Sequence, residues 1–191
     1  MFAPLKKSLT ALDLGTDPGN AAALLAGLLE PRRTAEVQMT LVDQGPDLLL
    51  KGVEADGLRQ VEALTEFSES HGLARLSLDR GLGPETFYEP EPATVTLSGT
   101  PVAFPHGAFL QATEDGEAAL VAAVREAAAG AAASADLFAG LGTFALALPG
   151  RVHAAEASRD AILALKRAAP GIVAEHRDLY RRPLDSEELA R

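Results

Sequence analysis

Two glycines and two carboxylates have the types and spacing to do chemistry. Gly140-Leu141-Gly142 follows a short apolar run, residues 135–138, and Glu156 closes the next one, residues 151–156. Glycine has no Cβ, so the backbone can come close to a ligand there. An acid at the tip of the following strand can accept both hydroxyls of a ribose. A third apolar stretch, residues 172–176, runs into Arg177-Asp178-Leu179, which sets Asp178 at the corresponding tip. The chemistry suggested is the holding of a nucleoside. Each signal alone has a plainer reading: Gly140-x-Gly142 as a tight turn, Glu156 as a solvated strand end, Asp178 as a cap for the next turn. Asp136 reads as structural, with a reach toward a cofactor amine as its alternative. Arg177, Arg181 and Arg182 read as a solvated face, with RNA phosphates as the alternative partner.

The elements that must position these residues follow from periodicity. Residues 113–129 open on Thr113 with Glu114, Asp115 and Glu117, an N-terminal helix signature, and carry Leu120, Val121 and Val124 as a stripe. Strand 135–138, a short helix opening at Thr143, strand 151–156, helix 158–169 with Ile162, Leu163 and Leu165 inward, and strand 172–176 follow in turn. This alternation predicts a three-stranded parallel sheet with right-handed crossovers. Ligands on such sheets sit beyond the strand C-termini, where Gly140, Gly142, Glu156 and Asp178 all fall.

The chain before residue 107 has a different grammar. Residues 21–29 form a helix, and strands 35–42 and 47–53 form a hairpin around a loop of about four residues. Residues 57–70 make an amphipathic helix, 73–78 a strand, 80–92 a Gly- and Pro-rich loop, and 94–97 with 101–104 a second hairpin. This part is expected to be mostly antiparallel, with one or two helices.

The 191 residues carry a net charge of −10, which argues against a generally basic nucleic-acid surface while leaving room for a local basic patch. Cysteine is absent, which excludes disulfides, cysteine-ligated metals and a cysteine nucleophile within these residues. The four histidines lack ligand spacing, so no metal site is expected. No apolar run reaches spanning length and no signal peptide stands at the start, so the expected setting is soluble and cytoplasmic, without a membrane partner.

Four motifs in order, Phe109-Leu110-Gln111, then D-L-F-A-G-L-G-T-F, A-A-E-A-S and R-D-L-Y-R-R-P-L, resemble the uracil-5 RNA methyltransferases. The resemblance covers roughly residues 35–189. It implies an α/β chain: a partial Rossmann-like class I methyltransferase sheet over residues 107–191, preceded by a mostly antiparallel α+β subdomain over residues 1–106. It implies S-adenosylmethionine as cofactor and a uridine of tRNA or rRNA as substrate, methylated at C5. Carried over by motif, Gln111, Phe138, Gly140, Gly142, Thr143, Glu156 and Asp178 would border the cofactor. Glu156 would take the ribose hydroxyls and Asp178 the adenine amino group. Phe138 and the glycine backbone would lie along the methionine part, with Gln111 at its end.

The sequence departs from the family where the reaction is performed. Ala139 stands where members often have cysteine. The family's Asp-Pro-Pro strand, the cysteine that attacks uracil C6 and the glutamate base are not among these residues, so no catalytic residue is assigned. In the family's sheet the strand at residues 135–138 is central, whereas here it lacks a neighbour on one side. The expectation is a piece of a longer chain, or an edge covered by another segment or subunit. Two other classes remain. Gly140-x-Gly142-x-x-Ala145 also fits the dinucleotide fingerprint of an NAD(P)-dependent oxidoreductase, and a non-catalytic cofactor-binding or interaction module would leave the sheet edge for a partner.

Overall fold

The computed structural model describes residues 35–53 and 55–189, and the helix expected over residues 21–29 lies outside them. The chain divides into two compact units, one ending at Ala93 and one beginning at Thr94.

In the first unit, β1 (Glu36–Val42), β2 (Gly45–Lys51), α1 (Leu58–Ser70), β3 (Arg75–Asp79) and β4 (Pro84–Tyr88) follow in order, and the sheet runs β1-β2-β3-β4. β1 and β2 form the expected hairpin, but Gly45 and Pro46 join the ladder opposite Val42 and Leu41, so the turn is shorter than expected. The sheet is not antiparallel throughout: β2 and β3 are parallel, with α1 as the connection between them. β4 replaces the loop expected over residues 80–92. Pro84 is tolerated because it starts an edge strand, and Thr86, Phe87 and Tyr88 are good strand formers. Leu48, Leu50, Leu64, Phe67, Leu76 and Leu78 form the core between the sheet and α1. The opposite face of β3 is buried as well. There Arg75 lies beside its register partner Asp47, joined by two hydrogen bonds of 2.9 and 2.7 Å, with both side chains less than a tenth exposed.

The second unit opens with the hairpin β5 (Thr94–Leu97) and β6 (Thr100–Ala103), and β6 packs on a helix of this unit. That packing brings the hairpin into the second unit, earlier than the boundary expected at residue 106. Then come α2 (Glu114–Ala127), β7 (Ala133–Leu137), β8 (Arg151–Glu156), α3 (Arg159–Ala168), β9 (Val173–His176) and the short α4 (Ser186–Leu189). The three strands are parallel in the order β7-β8-β9. Thr113 and Ser158 cap α2 and α3 by accepting from the amides of Gly116 and Ala161. Ala145, Val152, Ala154, Ile162, Leu165 and Ala174 make the core under α3. Leu163, expected inward, lies outward, and Ala161 and Ala164 take the buried face instead. The helix expected to open at Thr143 is a run of turns over residues 140–147, closed by Leu146 N–H to Gly142 O and Leu148 N–H to Phe144 O.

Among the described residues β7 has one strand neighbour, β8, and no residue of α2 is buried. A cavity of about 410 Å³ lies between Val124 and Ala127 of α2 and Ser134 to Asp136 of β7. No described helix is long and apolar enough to cross a membrane, and no described group of acids and histidines is placed to hold a metal.

Candidate nucleoside site

The site is built where β7 and β8 end. β7 runs directly into Phe138, whose backbone is left-handed at φ +61, a conformation uncommon for a bulky residue. It turns the chain sharply at the sheet edge and leaves the ring 56% exposed. Gly140 follows at φ +56, and a Cβ placed on it would meet nothing within 4 Å. Its amide donates to Glu156 Oε2 at 2.9 Å, and the amide of Ser158 donates to Oε1 at 2.6 Å. One carboxylate thus ties the turn after β7 to the start of α3. A carboxylate offers about four acceptor sites, so each oxygen keeps capacity for a further donor.

Gln111, Phe138, Gly140, Thr143 and Glu156 line one cavity of about 310 Å³, together with Phe109 and Ser158. Five of the seven residues singled out from sequence therefore share one wall, although they come from three separate stretches of chain. Gly142 is not among the lining residues: its face is turned to Leu165 of α3, whose Cδ1 lies 2.6 Å from where a Cβ would stand. Asp178 is not among them either. Its Oδ1 accepts from the amides of Tyr180 and Arg181 at 3.0 and 3.2 Å, and Arg181 Nε stands 3.4 Å from Oδ2, so the side chain caps the turn after β9.

Ser158 and Phe109 were not singled out as contacts. Ser158 was hidden by its cap role, and Phe109 carried a signal only as part of Phe109-Leu110-Gln111. Asp136 is 8% exposed and accepts the Ala145 amide at 2.8 Å, which fixes the turns that carry Thr143. Burial pushes its carboxyl above the usual carboxylate range; the Ala145 hydrogen bond pulls back, and the charge of Glu156 adds to the push.

Arg177 belongs to neither a solvated face nor an RNA surface. It is buried, donates to the carbonyls of Arg182 and Pro183, and grips Glu188 with two hydrogen bonds of 2.7 and 2.8 Å. Hydrogen bonding to Arg177 holds the Glu188 carboxyl at about 2, below its ordinary 4.5. A depressed acid stabilises the fold above its unfolded value and loses that contribution as pH falls through the folded one. Wild-type protein should therefore lose stability relative to Glu188→Gln as pH drops from about 4.5 toward 2. Urea midpoints of both proteins across that window check it, and parallel curves would remove Glu188 from the account.

No protein-family model matches the chain. An uncharacterized RNA methyltransferase of Zymomonas mobilis is 53% identical over 169 residues, covering 85% of this chain and 43% of that protein. One of Rhizobium meliloti is 37% identical over 176 residues, covering 88% and 41%. The chain thus spans less than half the length of these curated relatives. Among solved structures, the Pyrococcus abyssi tRNA (uracil-54, C5)-methyltransferase in complex with S-adenosyl-L-homocysteine superposes with a TM-score of 0.56 at 15% identity, over 82% of this chain and 44% of that one. The likeness shows an α/β, Rossmann-like fold.

Proposed function

We propose that this chain is the cofactor-holding part of an S-adenosylmethionine-dependent RNA methyltransferase acting on C5 of a uridine. The observation that carries the reading is the convergence of Gln111, the Phe138–Thr143 turn and Glu156 on one cavity. Relatives described as RNA methyltransferases support the reaction class, and the fold shared with a uracil-C5 enzyme supports the position.

The residues present fit such a cofactor. Glu156 is already oriented by two amides and offers its remaining acceptor sites to a ribose diol. Gly140 leaves open space where a side chain would intrude, and Gln111 brings an amide able to donate to a carboxylate or accept from an ammonium group. Phe138 gives an apolar surface beside them. Gly142 and Asp178 act on the site through the backbone, by seating the turn against α3 and by capping the turn after β9. The cofactor supplies an electrophilic methyl group. At C5 of uridine that methyl replaces the ring hydrogen, and C5 becomes nucleophilic enough only after a nucleophile adds at C6. These 191 residues hold no thiol for that addition, so their part in the reaction is binding and orientation.

Calorimetry with S-adenosylhomocysteine and with NADH tests the site. The homocysteine derivative should bind, and Glu156→Ala should weaken it by about 1.5–3 kcal/mol, roughly 10- to 150-fold, through loss of a charged acceptor. Unchanged affinity would remove Glu156 from the site, and tight binding of NADH alone would overturn the reading. The position is tested on the whole enzyme of which this chain is proposed to be the cofactor-holding part, with RNA tritiated at uridine C5: methyl uptake should release tritium in equal amount, and uptake without release would place the methyl elsewhere.

A further inference from the structure

Phe109, Phe138 and Tyr180 are 78%, 56% and 89% exposed, and they are the aromatic rings most open to solvent among the described residues. They are not scattered. Phe109 and Phe138 both line the 310 Å³ cavity, and the Tyr180 ring, which is not part of the lining, packs on that of Phe138 with centroids 5.4 Å apart at 51°. An exposed aromatic ring forgoes the gain of burial, so a cluster of them beside one cavity suits a ligand with a flat apolar face.

The place of Tyr180 in the sheet says which part of a ligand it would meet. Glu156 and His176 are register partners on the neighbouring strands β8 and β9. Tyr180 stands four residues past His176, on the turn capped by Asp178. A nucleoside with its ribose on Glu156 and its base directed toward β9 would bring that base to this turn.

We propose that Tyr180 is a cofactor-binding residue that closes over the adenine of the bound nucleoside, with Phe138 on the other face. The inference rests on the cofactor reading given above. The Phe138 and Tyr180 rings meet at a tilt, with centroids 5.4 Å apart. A planar base inserted between them holds the rings about 7 Å apart, so Tyr180 moves outward by a small amount, which its exposure permits. The left-handed backbone of Phe138 fixes one jaw, and the Asp178 cap keeps the other within reach.

Stacking of a base on one aromatic ring is worth about 1–3 kcal/mol, so Tyr180→Ala should weaken S-adenosylhomocysteine binding roughly 5- to 150-fold, while Tyr180→Phe keeps wild-type affinity. The 191 residues contain no tryptophan, so Tyr180→Trp installs their sole indole. Its fluorescence should be quenched by S-adenosylhomocysteine and adenosine but not by homocysteine, which lacks the base. A purely structural role for Tyr180 would not produce that ligand pattern. Unchanged affinity in Tyr180→Ala with no quenching in Tyr180→Trp overturns the inference and leaves the cofactor reading intact. Failure of wild-type protein to bind S-adenosylhomocysteine overturns both.

Discussion

Asp47→Ala should cost about 3–5 kcal/mol of folding stability, enough to remove much of the margin of a small unit. Asp47 and Arg75 are register partners on β2 and β3, 7% and 4% exposed, with both guanidinium contacts made by Nε and Nη2 to the two carboxylate oxygens. Taking one partner away leaves a cation in a low-dielectric interior. Glu89, at 3.6 Å from Nη1 and more exposed, is a weaker partner for it. The expected drop is a property of the broken pair rather than its net worth. Replacing both members by apolar residues of similar size, Asp47→Leu with Arg75→Met, should recover most of the loss. Urea titration of the three proteins reads the effect. A single-variant loss below about 1 kcal/mol would mean that water reaches the guanidinium.

Gly142→Ala should destabilise the second unit by about 2–4 kcal/mol, from two causes that can be separated. The backbone stands at φ +95, where a Cβ is strained whatever surrounds it. The added methyl would also meet Leu165 Cδ1 at 2.6 Å, and Leu165 is fully buried, so it cannot swing clear without disturbing Ile162 and Val152 in the same core. Leu165→Ala in the Gly142→Ala background should return the steric part and leave the backbone part, a positive coupling in a double-mutant cycle. Because the turn also carries Gly140 and Thr143, S-adenosylhomocysteine affinity should fall with stability. A thermal midpoint within a degree of wild type would sink the argument.

The second unit was largely legible because its elements alternate strongly. β8 and β9 each end on a polar residue, Glu156 and His176, β7 runs into the turn at Gly140, and Ser158 and Thr113 announce their helices. What was not legible depends on partners far along the chain. Arg177 reads as exposed because arginine usually is; Glu188 of α4, the carbonyls of Arg182 and Pro183 and the nearby Glu175 make its burial possible. The turns after Thr143 looked helical because alanine and leucine favour helix, but the Asp136 carboxylate takes the Ala145 amide out of that ladder. In the first unit, Gly81, Gly83, Pro84 and Pro90 masked β4, since breaker residues flank an edge strand as readily as they fill a loop. The parallel β2–β3 pair was within reach: a strand, a thirteen-residue helix and a strand form a crossover, whereas hairpins need only a short turn.

Glu156 answers to two masters. Its oxygens brace Gly140 and Ser158 before any ligand arrives, and in the proposed role they also meet a sugar. Shortening the side chain to aspartate, to make room for a bulkier sugar, would draw the carboxylate back from both amides at once. Anyone redesigning the cavity for sugar-modified cofactor analogues should therefore keep this carboxylate and recut the lining elsewhere, at Gln111 and Phe109.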